Sequence, residues 1–173
     1  MVDKQIIPYG DRDIYRYGME VLFSTGGVML TATIIGAVSG HLTEVVVFML
    51  GFLPVRYSSG GYHAATPGKC LLLSLVCMVG TIGIGRQDIV VQIAPLIAGI
   101  SCAIVYRFAP VVHPNHPHSQ QRVLLLRKRA RRISTATCVA ILPACVLYPV
   151  FASIASLAFL CASLGLPVAL LGK

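Results

Sequence analysis

The sequence contains no tryptophan and no Cys-x-x-Cys pair, and only six of its 173 residues are acidic. Charged residues make up 12% and hydrophobic residues 56%, with a mean hydropathy of +0.80. That balance excludes an ordinary soluble domain. The lack of paired cysteines gives no sign of a disulfide framework. The scarcity of ionisable residues in the apolar runs argues against an ion pathway, which normally declares itself by charges at mid-membrane depth. No internal repeat links the two halves, so the duplicated architecture of many transporters is not indicated.

What remains is a succession of oily segments. A span takes about 20 mainly apolar residues, and six candidates run from 21 to 40, 43 to 55, 71 to 86, 89 to 107, 133 to 149 and 151 to 171. The second is short and carries Glu44 near its start, which reads as a tilted, broken or re-entrant segment. The expected fold is an all-α polytopic membrane protein of about six segments, with residues 1–173 forming one integral membrane domain. If all six segments cross, thirteen of the fourteen Lys and Arg residues fall on one side and only Arg86 on the other. Cytoplasmic loops carry the excess of basic residues. Both termini, the loop at 56–70 and the basic loop at 107–132 are therefore expected to be cytoplasmic. This asymmetry accounts for the formal charge of +8 without nucleic acid. Residues 1–20 read as a polar lead-in without a signal peptide, in which Ile14, Tyr17 and Val21 have the spacing of a helix lying in the membrane interface. Gly26, Gly27, Gly36, Gly40, Gly80, Gly83 and Gly85 are expected to let helices approach closely.

Five cysteines, Cys77, Cys102, Cys138, Cys145 and Cys161, lie inside apolar runs, where cysteine acts as a small hydrophobe. The sixth is different. It closes the stretch "GGYHAATPGKC", residues 60–70. Proline is favoured at the first position of a helix and threonine just before it, so Thr66 reads as an N-cap and Pro67 as the start of the third segment. Cys70 then falls in the first turn. There the helix dipole and the unpaired N–H groups favour an anion, and Lys69 adds a positive charge. On one continuous helix His63 would be about 10.5 Å of rise from Cys70, too far for proton transfer. The Thr-Pro-Gly break lets the chain fold back so that the imidazole reaches the sulfur, the arrangement of a cysteine nucleophile with a histidine base. Gly60 and Gly61 could offer N–H groups to an oxyanion. From these residues alone, an interfacial histidine near a buried thiol is the favoured reading and a catalytic pair the alternative, and no carboxylate presents itself as a third member.

His113, His116 and His118 could be read as metal ligands. Pro114 and Pro117 hold them extended, however, and no cysteine or carboxylate lies nearby to complete a tetrahedral set, so no metal or other cofactor is expected. A small transporter or metal-binding membrane protein using His63, Cys70 and these histidines is the alternative reading. The run Arg127, Lys128, Arg129, Arg131 and Arg132 serves as a topology determinant at the headgroups and could also attract an acidic peptide.

The stretch "RYSSGGYHAATPGKC", with Arg56, Gly60, Gly61, His63, Ala64 and Cys70, resembles the signature of the accessory gene regulator B (AgrB) family of membrane cysteine endopeptidases. A second stretch, "YRFAPVVHPNHP" at 106–117, resembles that family's aromatic-Ala-Pro loop and is likewise followed by a basic run. The resemblance implies a quorum-sensing role: cleavage of the C-terminal part of a precursor signal peptide through a cysteine thioester, then cyclisation to a thiolactone or lactone. It implies Cys70 as nucleophile and His63 as general base. Arg56 and the basic run Arg127–Arg132 become substrate-positioning candidates. The implied partners are a precursor with an amphipathic leader and an acidic C-terminal tail, membrane lipid and a second copy of the chain. The implied location is a bacterial cell membrane, with the active site at the cytoplasmic face.

Overall fold

The computed structural model describes residues 12–59, 67–110 and 120–171. Six helices account for nearly all of them: α1 (Arg12–Ser39), α2 (Leu42–Ser59), α3 (Pro67–Ile84), α4 (Asp88–Phe108), α5 (Gln120–Leu147) and α6 (Pro149–Leu171). No strand occurs among the described residues. α6 is the central element and packs against α2, α3, α4 and α5, while α1 lies against α2 and α3.

The distribution of side chains is that of a bundle in lipid. Large apolar residues point outward, among them Leu30, Leu50, Leu72, Leu96 and Val146. The interior is instead rich in small and hydroxyl residues, with Ala94, Ala98, Ala158, Ala162, Ser101, Ser134, Ser156 and Ser163 fully buried. Lipid tails are as apolar as leucine, so helices gain little by hiding leucines from them and associate through close contact of small residues. A buried hydroxyl in such a place needs a partner. Ser101 donates to the Ile97 carbonyl at 2.7 Å, Ser156 to Ala152 at 2.8 Å and Ser163 to Leu160 at 2.9 Å.

Four helical stretches are long and apolar enough to cross a membrane: 42–59, 88–108, 123–147 and 149–170. The apolar parts of α1 and α3, Thr25–Ser39 and Cys70–Ile84, are shorter. The second segment is one continuous helix of 18 residues, not a short or broken one. It continues through Pro54 to Ser59, and in its last turn the Ser58 and Ser59 hydroxyls donate to the Val55 carbonyl. Two boundaries also move outward. Residues 12–20 belong to α1, without a separate interfacial helix among the described residues, and residues 120–132 form the first half of α5, where a loop was expected. Leu124, Leu125, Leu126, the arginines and Ala130 are all good helix formers, so the drop in hydropathy at the basic run does not end the helix.

Close approach depends on fewer glycines than the sequence indicated. Gly26, Gly27, Gly80 and Gly83 face open space and pack nothing. Gly40 adopts φ 75° and makes the left-handed turn that ends α1. The tight contacts are at Gly36, Gly85 and Gly51, the last of which the sequence reading passed over. A Cβ on Gly51 would meet the Ala155 carbonyl oxygen at 2.7 Å and its Cα at 3.2 Å, so α2 and α6 would have to part. Gly51→Ala is expected to cost about 1–3 kcal/mol, read as a lowered midpoint of thermal unfolding in detergent. Gly26→Ala should leave the midpoint unchanged or raise it slightly; equal losses in the two variants would contradict this packing.

Candidate active site

α3 begins at Pro67, as the N1 preference of proline predicts. This places Cys70 in the first helical turn. One face of α3 is turned into the bundle: Ser74, Met78, Thr81 and Gly85 are buried, whereas Leu72, Leu73, Val76 and Val79 are exposed. Cys70 lies one turn before Ser74 on the inward face and is half-buried. The Ser74 hydroxyl donates to the Cys70 carbonyl at 2.9 Å. Further along the same face, the Thr81 hydroxyl lies 3.9 Å from the Cys161 sulfur on α6. The face carrying Cys70 therefore meets α6 and not lipid, which gives the thiol partial shelter near a helix end.

The chain reaches this helix from the last turn of α2. Arg56 lies there with its guanidinium 5.9 Å from the Phe52 ring centroid, within the range of a cation–π contact. Arg56 is thus at the end of α2 from which the chain runs on toward the start of α3. Gly60, Gly61, His63 and Thr66 lie outside the described residues, as do His113, His116 and His118. No group of three or more metal-ligating side chains occurs among the described residues.

α5 divides the basic run between faces. Arg131 turns toward α4, donating to the Tyr106 carbonyl at 3.2 Å and lying 5.2 Å from its ring centroid. By helical spacing Arg127 lies on that side and Arg129 on the opposite one, while Lys128 and Arg132, four residues apart, share the flank between them. All five are exposed.

At the opposite end of the bundle is a cluster that sequence reasoning did not assemble. Arg86, in the turn after α3, donates to Glu44 of α2 and reaches His41 Nδ1 at 2.9 Å. His41 Nδ1 is 3.3 Å from the same Glu44 carboxylate. The one Lys or Arg assigned to that side thus ties the α1–α2 turn to the α3–α4 turn. Arg86 is half-exposed and Glu44 mostly covered, so a double-mutant cycle with Arg86→Ala and Glu44→Ala should give a coupling of about 0.5–1 kcal/mol in detergent unfolding. A coupling of zero would mean that the contact does not hold the turns together.

The fold and this site define a multi-pass, all-helical membrane protein with an inward-facing cysteine at a helix start, just after a Gly-Gly-x-His segment. The sequence profile described as accessory gene regulator B matches residues 1–167, and the chain belongs to that family. AgrB-like protein 2 of Clostridium perfringens (strain 13 / Type A) is 26% identical over 134 residues, covering 72% of this chain and 62% of the relative. An AgrB-like protein of Clostridium perfringens (strain SM101 / Type A) is 25% identical over 133 residues, with the same two coverages. The chain spans about 62% of the length of these curated relatives. No solved structure matches it.

Proposed function

We propose that the protein is a membrane cysteine endopeptidase that processes a quorum-sensing precursor peptide at the cytoplasmic face of a bacterial cell membrane. The observation that carries this reading is the position of Cys70, half-buried on the inward face of the first turn of α3, in a chain of the accessory gene regulator B family.

The chemistry follows from that position. His63 takes the thiol proton, and the Cys70 sulfur attacks the carbonyl carbon of the scissile amide. The tetrahedral oxyanion is met by N–H groups of the Gly60–Gly61 segment. As the C–N bond breaks, His63 returns the proton to the leaving amine, and the C-terminal fragment departs. The N-terminal portion stays on Cys70 as a thioester. A thiol or hydroxyl within the peptide then attacks that thioester, expelling the Cys70 thiolate and closing a thiolactone or lactone ring. Water attacking the same thioester would give a linear acid, and the half-buried setting of Cys70 restrains that loss. An amphipathic leader lying in the interface raises the local concentration of the precursor. Arg56 stands on the side of the bundle where the peptide would enter, and Arg127 and Lys128 offer exposed positive charge to an acidic tail. The active species is a homodimer in this reading.

Reconstitution in liposomes with a precursor peptide bearing an acidic tail tests the proposal. The expected products are a C-terminal fragment and an N-terminal portion lighter by one water than its linear acid. Cleavage that needs an added metal and survives thiol alkylation would favour the metal-binding reading instead.

A further inference from the structure

A cleft of about 530 Å³ opens on the outer surface of the bundle between α2 and α5, with α6 as its floor. It exists because Gly51, Ala136, Ala140, Ala144, Ala152 and Ala155 line it. Its walls are apolar apart from Thr137 and Tyr148. From Ile133 to Ala144 the α5 wall of the cleft rises about 16.5 Å, more than half of a hydrocarbon core about 30 Å thick. The trough is therefore long enough for the acyl chain of a lipid in one leaflet.

The end of the cleft near Ile133 is cationic. Arg129 precedes Ile133 by four residues and Arg132 precedes Ala136 by four, so both arginines stand above the α5 wall of the cleft. Both are exposed, and neither forms an ion pair among the described residues. Small-residue surfaces also join helices of separate chains, but two copies in one membrane share an orientation. A two-fold dimer through this cleft would bring the Arg129 and Arg132 side chains of both copies together, like charge against like. An amphiphile with one apolar chain and a negative head has the complementary pattern.

We propose that the α2–α5 cleft is a binding site for an anionic phospholipid. One acyl chain lies along Ala136, Ala140 and Ala144, and the phosphate is held by the Arg129 and Arg132 guanidinium groups, whose forked donors suit phosphate oxygens. The site is independent of the peptide-processing reading.

The test is photo-crosslinking of the full chain in nanodiscs of phosphatidylcholine doped with phosphatidylglycerol, with a photoreactive amino acid replacing Leu50 at the cleft rim. Mass spectrometry should show phosphatidylglycerol adducts enriched roughly tenfold above the bilayer fraction of that lipid. The enrichment should vanish in the Arg129→Gln, Arg132→Gln double variant. It should persist in Arg127→Gln, Arg131→Gln, which removes the same charge from the α4-facing side of α5. Ala140→Phe, which fills the trough, should reduce adducts of both lipids. Adducts in proportion to bilayer composition, equal losses in the two double variants, or cross-links mainly to a second copy or to added leader peptide would each overturn the proposal.

Discussion

Cys70→Ala is expected to abolish peptide cleavage, with a loss on the order of 10⁴-fold or more, as befits removal of the group that forms the covalent intermediate. Alanine deletes only the sulfur and favours helix, and Cys70 is half-buried, so α3 should still begin at Pro67. The variant should unfold within a degree or two of the parent protein. Two controls separate chemistry from packing. Cys138→Ala and Cys145→Ala remove thiols from α5, a helix distant in sequence from the Gly-Gly-x-His segment, and both should keep cleavage near the parent rate. If either matched the loss in Cys70→Ala without a loss of fold, the special position of Cys70 at a helix start would carry no weight.

His63→Ala is expected to have the second largest effect, a fall of roughly 10²–10⁴-fold, the range that a positioned general base supplies. The thiol remains, so a slow residual reaction should survive, unlike that of Cys70→Ala. Added imidazole should restore part of the rate in His63→Ala and none in Cys70→Ala. The contrast assigns the two residues separate roles, and the assay reads it as single-turnover release of the C-terminal fragment. A His63→Ala protein that cleaves at the parent rate would remove the histidine from the mechanism and leave the thiol activated by its helix terminus alone.

The parts of this architecture that sequence made legible are those set by local rules. Pro67 starts α3 because proline suits the first helical position, and that alone places Cys70 in the first turn. The apolar runs became helices because uncharged backbone in lipid has to satisfy its own hydrogen bonds. Elsewhere the same reading fell short for identifiable reasons. The second segment appeared short because its apolar run ends at Val55, just before Arg56, yet the helix continues to Ser59. The basic run looked like a loop because hydropathy records polarity and not helix propensity, and α5 continues through Arg127–Arg132. Glycine content did not say which glycines touch a neighbour: Gly80 and Gly83 face open space while Gly51 lies on Ala155. The His41–Glu44–Arg86 cluster joins residues more than forty positions apart, a pairing that no local pattern encodes.

Site and fold are connected through α3. Its Ser74–Met78–Thr81–Gly85 face is held against the bundle, with Ser153 of α6 donating to the Gly85 carbonyl at the far end. Arg86, next in sequence, is fixed to Glu44. The end of α3 opposite Cys70 is therefore anchored twice, which fixes the rotation of the helix and keeps Cys70 on the inward side.

The most direct test of the account is mass spectrometry of the reconstituted protein, acid-quenched during its first turnover of a precursor peptide and then digested. The account predicts a hydroxylamine-labile adduct on the fragment containing Cys70, equal in mass to the N-terminal portion of the precursor less one water, and none on the other five cysteines. Cleavage without that adduct under single-turnover conditions, or an adduct on a different cysteine with cleavage retained in Cys70→Ala, would contradict it.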